Sequence, residues 1–105
     1  MIYSYADVRA LAAVADTEVL RTGVANGEKW KLLEVRTPCD VVADAILFIY
    51  IDGIQRLQLV PTIVDNVMTI DEEYDEGSEF VCVVHKEDAT AQVIGVVLVF
   101  DRKPR

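Results

Sequence analysis

The second half of the chain alternates short apolar runs with turn residues, and this rhythm limits what the chain can fold into. Short strands at regular spacing, separated by turns, are typical of a β-sandwich. The sequence therefore predicts an all-β fold. Four runs are rich in Val, Ile or Phe and have the length of a buried strand; they are Ala45–Ile51, Ile54–Val60, Phe80–His85 and Ala91–Phe100.

Two earlier segments, Glu18–Val24 and Glu28–Arg36, also have the composition of strands. Ala25-Asn26-Gly27 lies between them, and Asp52-Gly53 lies between two of the later runs. Asn-Gly and Asp-Gly supply the positive φ angles of tight hairpin turns. We therefore expect a hairpin at each of these two places.

The phase of the apolar residues changes within Glu28–Arg36. Trp30 and Leu32 share one face of this strand, whereas Leu33 and Val35 have the opposite parity. Because side chains alternate between the two faces, one residue has to be absorbed by a bulge or a twist. We expect Trp30 to anchor the core.

A short strand at Val67–Ile70 brings the expected number of strands to about seven. We predict a single-domain antiparallel β-sandwich, Greek-key or jelly-roll-like, with a short N-terminal helix or arm. With 105 residues, of which 52% are hydrophobic, the chain can fill one two-layer core. We assign residues 1–17 to the N-terminal helix or arm, 18–101 to the β-sandwich and 102–105 to a basic tail.

The N-terminal segment admits two interpretations. Ser4 can cap a helix, and Tyr5, Val8 and Leu11 recur at near-helical spacing before an alanine-rich stretch. The alternative is an extended arm, in which Tyr3, Tyr5 and Val8 pack on a neighbouring subunit. We favour the helix.

The net charge of −8 argues against nucleic acid and anionic membranes as partners. No uncharged apolar stretch approaches the roughly 20 residues that a membrane-spanning helix needs. Residues 1–5 lack the basic start and apolar core of a signal peptide, so we expect no export signal and synthesis in the cytoplasm. Cys39 and Cys82 are expected to be free thiols, with Cys82 buried.

Residues that could carry catalysis are few. His85 is the only histidine, and Cys82 has the opposite strand parity, so the two do not form a metal pair. Ser4 and Ser78 are the only serines, and neither lies in a Gly-x-Ser-x-Gly elbow. We therefore predict no enzymatic activity, no metal and no cofactor. A metal-free enzyme that uses His85 and carboxylates is the less favoured alternative.

Two segments carry concentrated charge of opposite sign. Residues 71–77 hold five carboxylates, which we interpret as a solvated connection, with a calcium loop or docking to a basic patch as alternatives. Arg102, Lys103 and Arg105 form the basic tail, which we interpret as a solvated end. The alternative for the tail is a contact with the acidic segment of a neighbouring copy.

The run Ala45–Ile51 is apolar on both faces, whereas the next run carries Gln55, Arg56 and Gln58. We therefore expect Phe48 and its neighbours to be covered twice, once by the opposing sheet and once by another body such as a second subunit.

Val24–Leu33 contains a Gly-Glu-Lys-Trp-Lys-Leu strand, and Phe48–Gly53 is an aliphatic strand that ends in Asp-Gly. In these two segments the chain resembles small tailed-phage virion proteins. The resemblance implies a capsid decoration (cement) or other accessory protein, which forms a trimer or ring and binds the major capsid protein or another virion protein. It implies a location in the virion and no catalytic residue.

For a protein of this kind we place the partner contacts in the N-terminal segment and in the acidic segment, at Ile2, Tyr3, Tyr5, Val8 and Tyr74. The alternative function is a stand-alone β-sandwich, cupin-like and without metal, that binds a carbohydrate or small molecule through Trp30 or Tyr50.

Overall fold

The computed structural model describes residues 1–64 and 67–105, which form eight β-strands in two antiparallel sheets and contain no helix. The strands are β1 (Ile2–Leu11), β2 (Asp16–Gly23), β3 (Glu28–Arg36), β4 (Ala45–Ile51), β5 (Ile54–Leu59), β6 (Val67–Asp75), β7 (Glu79–Lys86) and β8 (Gln92–Pro104). The expected all-β fold is confirmed, with eight strands where the sequence suggested seven.

Each sheet has four strands, and the order follows a simple rule. Sheet A has the order β1-β8-β3-β6, and sheet B has the order β2-β7-β4-β5. The first strand therefore pairs with the last, the second with the seventh, the third with the sixth and the fourth with the fifth. This is the pairing of one long antiparallel ribbon that has been folded over into two layers.

The core lies between the two sheets and is built by alternation along the strands. In β4, Ala45, Leu47, Ile49 and Ile51 are buried while the residues between them are only half-buried. Side chains on successive residues of a strand point to opposite faces, so a strand in a two-layer fold buries every second residue. The arrangement is β-sandwich-like.

The prediction of an N-terminal helix is wrong. Residues 2–11 form strand β1, which pairs with β8 without a break from Ile2 opposite Asp101 to Leu11 opposite Gln92. The Ala-rich spacing fits a helix and a strand equally, but without β1 the backbone groups along one side of β8 would have no sheet partner. The alternative prediction, an extended arm, has the right backbone conformation. The segment pairs with β8 of its own chain and not with a neighbouring subunit.

The prediction of a hairpin at Ala25–Gly27 is also wrong. β2 and β3 lie in different sheets, and Ala25–Gly27 crosses from one sheet to the other. The Glu28 amide donates to the Ala25 carbonyl at 3.1 Å, and only Gly27 of the two central residues has positive φ, at 77°. That is the pattern of a type II turn, whose twist does not suit a two-residue hairpin.

Three other local predictions are confirmed. Asp52 and Gly53 have φ of 53° and 81° and connect β4 to β5 in a type I′ hairpin. The register of β3 against both neighbours shifts between Leu32 and Glu34, which leaves Leu33 as the bulge. Trp30 is buried in the core.

Both charged segments differ from their predicted states. The acidic segment is not a loop, because β6 continues through it to Asp75, and Lys29 and Lys31 of β3 pair with its outward carboxylates. The basic tail is not a separate end, because β8 extends to Pro104, although Lys103 and Arg105 are exposed as expected of a solvated segment. Arg105 forms its ion pair with Glu76 of the acidic segment in the same chain.

Candidate functional site

The predicted contact residues do not form one surface. Ile2 and Val8 project from the outer side of β1 and are exposed, at 59% and 63%. Tyr3 and Tyr5 have the opposite parity and surround Arg102. Tyr74 lies on β6, at the far edge of sheet A.

Arg102 organises an aromatic cluster where the chain ends meet. Its guanidinium carbon lies 4.5 Å from the centre of the Tyr3 ring and 4.6 Å from the centre of the Trp30 ring. One guanidinium nitrogen donates to the Tyr5 hydroxyl at 2.6 Å. Cation–π contacts and a planar fork of donors make arginine suited to such a position. The cluster ties β1, β3 and β8 together.

The carboxylate of Glu28 completes this cluster. It accepts two hydrogen bonds from Arg102, at 2.8 and 2.9 Å, and a third from the Trp30 indole at 3.0 Å. The bonds from Arg102 and then the one from Trp30 lower the pKa of Glu28 below its ordinary value. The cluster is internally satisfied, so its geometry indicates a structural role.

The outer face of sheet B carries an apolar patch at its centre. The register places Phe48 beside Val83 and Tyr50 beside Val81 on the solvent side of the two central strands. These side chains are half-buried by their neighbours in the sheet. We call this surface the β4 patch and define it by Ile46, Phe48, Tyr50, Val81 and Val83.

Polar groups border the β4 patch on both sides. On β2, Arg21 bridges Glu18 and Glu79 through hydrogen bonds of 2.5 and 2.6 Å. On β5, Gln58 lies opposite Phe48 and Gln55 lies opposite Tyr50. An apolar centre with a polar rim is the usual anatomy of a protein–protein interface.

His85 lies at one end of the β4 patch, 6.3 Å from the Phe48 ring between ring centres. Its Nε2 and Nδ1 are engaged by Glu87 and Asp16 respectively. The two carboxylates, Glu87 first, raise the pKa of His85 above its ordinary value. Cys82, three residues earlier, points into the core as predicted, so the two side chains lie on opposite faces.

A cleft of about 460 Å³ opens between the edge strands β5 and β6. Its apolar lining comes from Ile51, Ile54, Leu57 and Ile70. We call it the edge cleft. It was not visible in the sequence, because β5 and β6 belong to different sheets and meet only through the overall topology.

The polar side of the edge cleft contains Tyr74, Glu72 and Arg56. The Tyr74 hydroxyl donates to Glu72 Oε2 at 2.7 Å. Burial, together with this bond to a carboxylate, raises the pKa of Tyr74 to about 12. Arg56 is the unpaired residue of a bulge in β5, which turns its side chain to the cleft.

The buried Lys86 was not identified from the sequence. It is 1% exposed, and its ammonium donates to Gln92 Oε1 at 3.1 Å and lies 3.8 Å from Asp88 Oδ1. Gln92 in turn donates to the Val41 carbonyl at 2.8 Å. This chain of contacts fastens the segment before β4 to the ends of β7 and β8.

No family model, curated protein or solved structure matches this chain.

Residues 1–64 and 67–105 contain no group of three or more His, Cys, Asp or Glu side chains arranged to hold a metal ion. They also contain no helix with the length and hydropathy that a membrane crossing needs. His85 already engages a carboxylate at each ring nitrogen, and burial raises the pKa of the Cys82 thiol to about 12.

Proposed function

We propose that this protein is a non-enzymatic structural subunit, a capsid decoration (cement) or accessory protein of a tailed-phage virion. It binds further copies of itself and the major capsid protein or another virion protein, and it resides in the virion after synthesis in the cytoplasm. The β4 patch is the observation that carries the proposal. The resemblance of Val24–Leu33 and Phe48–Gly53 to small virion proteins supports the same assignment.

The β4 patch supports a contact function because a solitary two-layer fold has no use for it. β4 is apolar on both faces, although only its inward face is needed for the core. Burial of apolar area contributes about 25 cal/mol per Å² as an upper scale, and aromatic residues at the centre of an interface dominate its affinity. Phe48 and Tyr50 occupy that central position.

The strand order supports the same class of protein. We infer that the pairing of first with last and fourth with fifth is a jelly roll, in which one antiparallel ribbon folds into two sheets. Jelly rolls are used by viral capsid proteins, lectins and cupins. The order is therefore an argument by analogy for a virion or a ligand-binding protein, and the β4 patch favours the former.

The net charge of −8 is also consistent with this proposal. A contact with the packaged nucleic acid is disfavoured, because an acidic surface is repelled by phosphates. Weak contacts at several copies of a shell protein add up to strong binding when a multimeric subunit engages them together.

The test uses phage particles induced from cells that carry the gene, purified by sedimentation and analysed by mass spectrometry. We expect the wild-type chain to sediment with the particles. Phe48→Asp places a charge at the centre of the β4 patch and should leave the chain in the supernatant. Gln58→Asp, which adds the same charge on the neighbouring strand at the rim, is the matched control and should sediment.

Two outcomes would contradict the proposal. A wild-type chain that never sediments with particles excludes a virion subunit. Equal sedimentation of the Phe48→Asp and wild-type chains excludes the β4 patch as the contact. Circular dichroism of each variant establishes that the fold is retained.

The edge cleft favours a second candidate, a β-sandwich that binds a carbohydrate or small molecule. The volume of about 460 Å³ and the mixture of apolar and charged lining are in the range of ligand sites. Trp30 is buried and does not serve as a stacking platform, so the ligand would contact Arg56 and Tyr74 instead. Calorimetric titration with a panel of monosaccharides, with Arg56→Gln as the comparison, tests this candidate.

A further inference from the structure

The two sheets leave four edges without a partner strand among the described residues, namely β1, β6, β2 and β5. Free edges promote pairing with other chains, and natural proteins interrupt them with bulges or like charges. β2 has a register shift between Glu18 and Leu20, and β5 carries the bulge at Arg56. β6 carries the acidic segment, and Asp71 within it has φ of 73°.

β1 has none of these devices. Its ten residues keep one register against β8, and Ser4, Ala6 and Ala10 present small side chains. Its only charged side chains are Asp7 and Arg9, which carry opposite charges and neutralise each other. Among the edges of the described residues, β1 is therefore the one best suited to accept another strand.

The backbone of β1 shows which residues face the free edge. The Arg102 amide donates to the Met1 carbonyl at 2.8 Å, and the Met1 nitrogen donates to the Arg102 carbonyl at 3.0 Å. Odd-numbered residues thus direct their backbone groups to β8. Because the direction alternates along a regular strand, Ala6, Val8 and Ala10 direct theirs to the free edge.

We propose that β1 pairs antiparallel with β1 of a second copy, with Val8 opposite Val8 across a two-fold axis. In this register Ala6 lies opposite Ala10 of the other copy, and their backbone groups are the ones that face the edge. Asp7 lies opposite Arg9 of the other copy, so the contact contains two complementary charge pairs. Tyr5 lies opposite Leu11 of the other copy on the same face.

In the single chain, the Asp7 side chain occupies the Val8 amide at this edge. Asp7 Oδ1 accepts the Val8 amide at 2.8 Å, and Arg9 Nε donates to Asp7 Oδ2 at 3.1 Å. On pairing, the Val8 amide donates to the Val8 carbonyl of the other copy instead of to Asp7. Arg9 then pairs with Asp7 of the other copy instead of with Asp7 of its own chain. The side chains of Asp7 and Arg9 are 40% and 49% exposed, so they can rearrange without disturbing the core.

This inference rests on the proposed function as an assembling subunit and names its first contact. A two-fold contact closes on itself and gives a dimer. A trimer or larger ring, as the resemblance to virion proteins implies, requires a further surface such as the β4 patch. The exposed Val8 predicted to contact a partner lies at the centre of the contact, whereas Tyr3 remains with Arg102.

The test exchanges charges between two variants and measures the dissociation constant by sedimentation velocity. Asp7→Arg places arginine opposite Arg9, and Arg9→Asp places aspartate opposite Asp7, so each variant alone is repelled at two positions. Each should weaken self-association by about tenfold or more. An equimolar mixture restores both complementary pairs across the contact and should form a heterodimer as tight as the wild-type dimer.

The mixture distinguishes a contact between chains from an effect within one chain, because mixing cannot restore the Asp7–Arg9 pair inside either variant. A mixture that associates no better than its components would overturn the inference. A wild-type chain that stays monomeric would overturn it as well.

A third variant tests the backbone pairing of the two β1 strands. Val8→Pro removes an amide that faces the free edge, so the ladder to β8 keeps its hydrogen bonds. We expect a folded monomer, and a Val8→Pro chain that dimerises like the wild type would overturn the proposed register. If Phe48→Asp still sediments with phage particles, the proposed function of the β4 patch fails but the β1 dimer does not. If the mixed charge variants do not associate, the β1 dimer fails but the proposed function of the β4 patch does not.

Discussion

Replacement of Phe100 by leucine tests the packing that holds the two sheets together. Phe100 is fully buried, and its ring centre lies 5.0 Å from that of Phe80, 5.1 Å from that of Trp30 and 5.8 Å from that of Tyr5. Each aromatic pair contributes about 0.5–1.5 kcal/mol beyond its area, and leucine regains part of this by dispersion. We expect Phe100→Leu to lower the free energy of unfolding by about 2 kcal/mol.

The assay is urea denaturation followed by the fluorescence of Trp30, the only tryptophan, which contacts the substituted ring. Phe48→Leu makes the same chemical change on the outer face, where one ring lies 6.3 Å away, and should cost less than about 0.5 kcal/mol. Equal losses for the two variants would refute the assignment of Phe100 to the centre of the core.

The pKa of His85 is higher in the folded chain than its ordinary value of about 6.5, because Glu87 and Asp16 favour the protonated ring. The contribution of His85 to the free energy of unfolding is therefore complete below pH 6.5 and is lost as the pH rises through the folded pKa. His85→Gln should flatten this part of the stability curve in urea titrations at several pH values, and an unchanged curve would contradict it. Gly53→Ala should cost about 1 kcal/mol because its φ is 81°, whereas Gly53→Asn should cost less; thermal unfolding compares them. Thiol titration should label Cys39 in the folded protein and Cys82 only after unfolding, and early labelling of Cys82 would contradict its burial.

Strand β4 was predictable because a short apolar run that ends at a turn signal has the length and composition of a buried strand. Ala45–Ile51 has the same bounds in the sequence interpretation and in the structure. The bulge at Leu33 was also readable, because a change of parity within one strand has few structural solutions.

Two wrong predictions, the N-terminal helix and the first hairpin, concern segments whose local sequence fits two structures. In both segments, contacts with residues distant in the sequence select the structure. Residues 2–11 fit a helix as well as a strand until β8 is known to need a partner. Asn26-Gly27 favours a tight turn, but the turn joins two sheets because β2 and β3 each pair elsewhere.

The contacts of Arg102 could not be derived from the sequence. It pairs with Glu28, 74 residues away, and with Tyr5, 97 residues away. A charged residue near a chain end is usually solvated, so the local pattern favoured a tail. The edge cleft has the same origin, since it forms only where strands of different sheets come together.

The central claim is that this chain acts by assembly, and its native mass in solution tests that claim most directly. Light scattering after size exclusion, over a series of protein concentrations, should give the mass of at least two chains for the wild type. Val8→Pro and Asp7→Arg should move the mass toward that of one chain at the same concentrations. A wild-type protein with the mass of a single chain at every concentration would contradict the account.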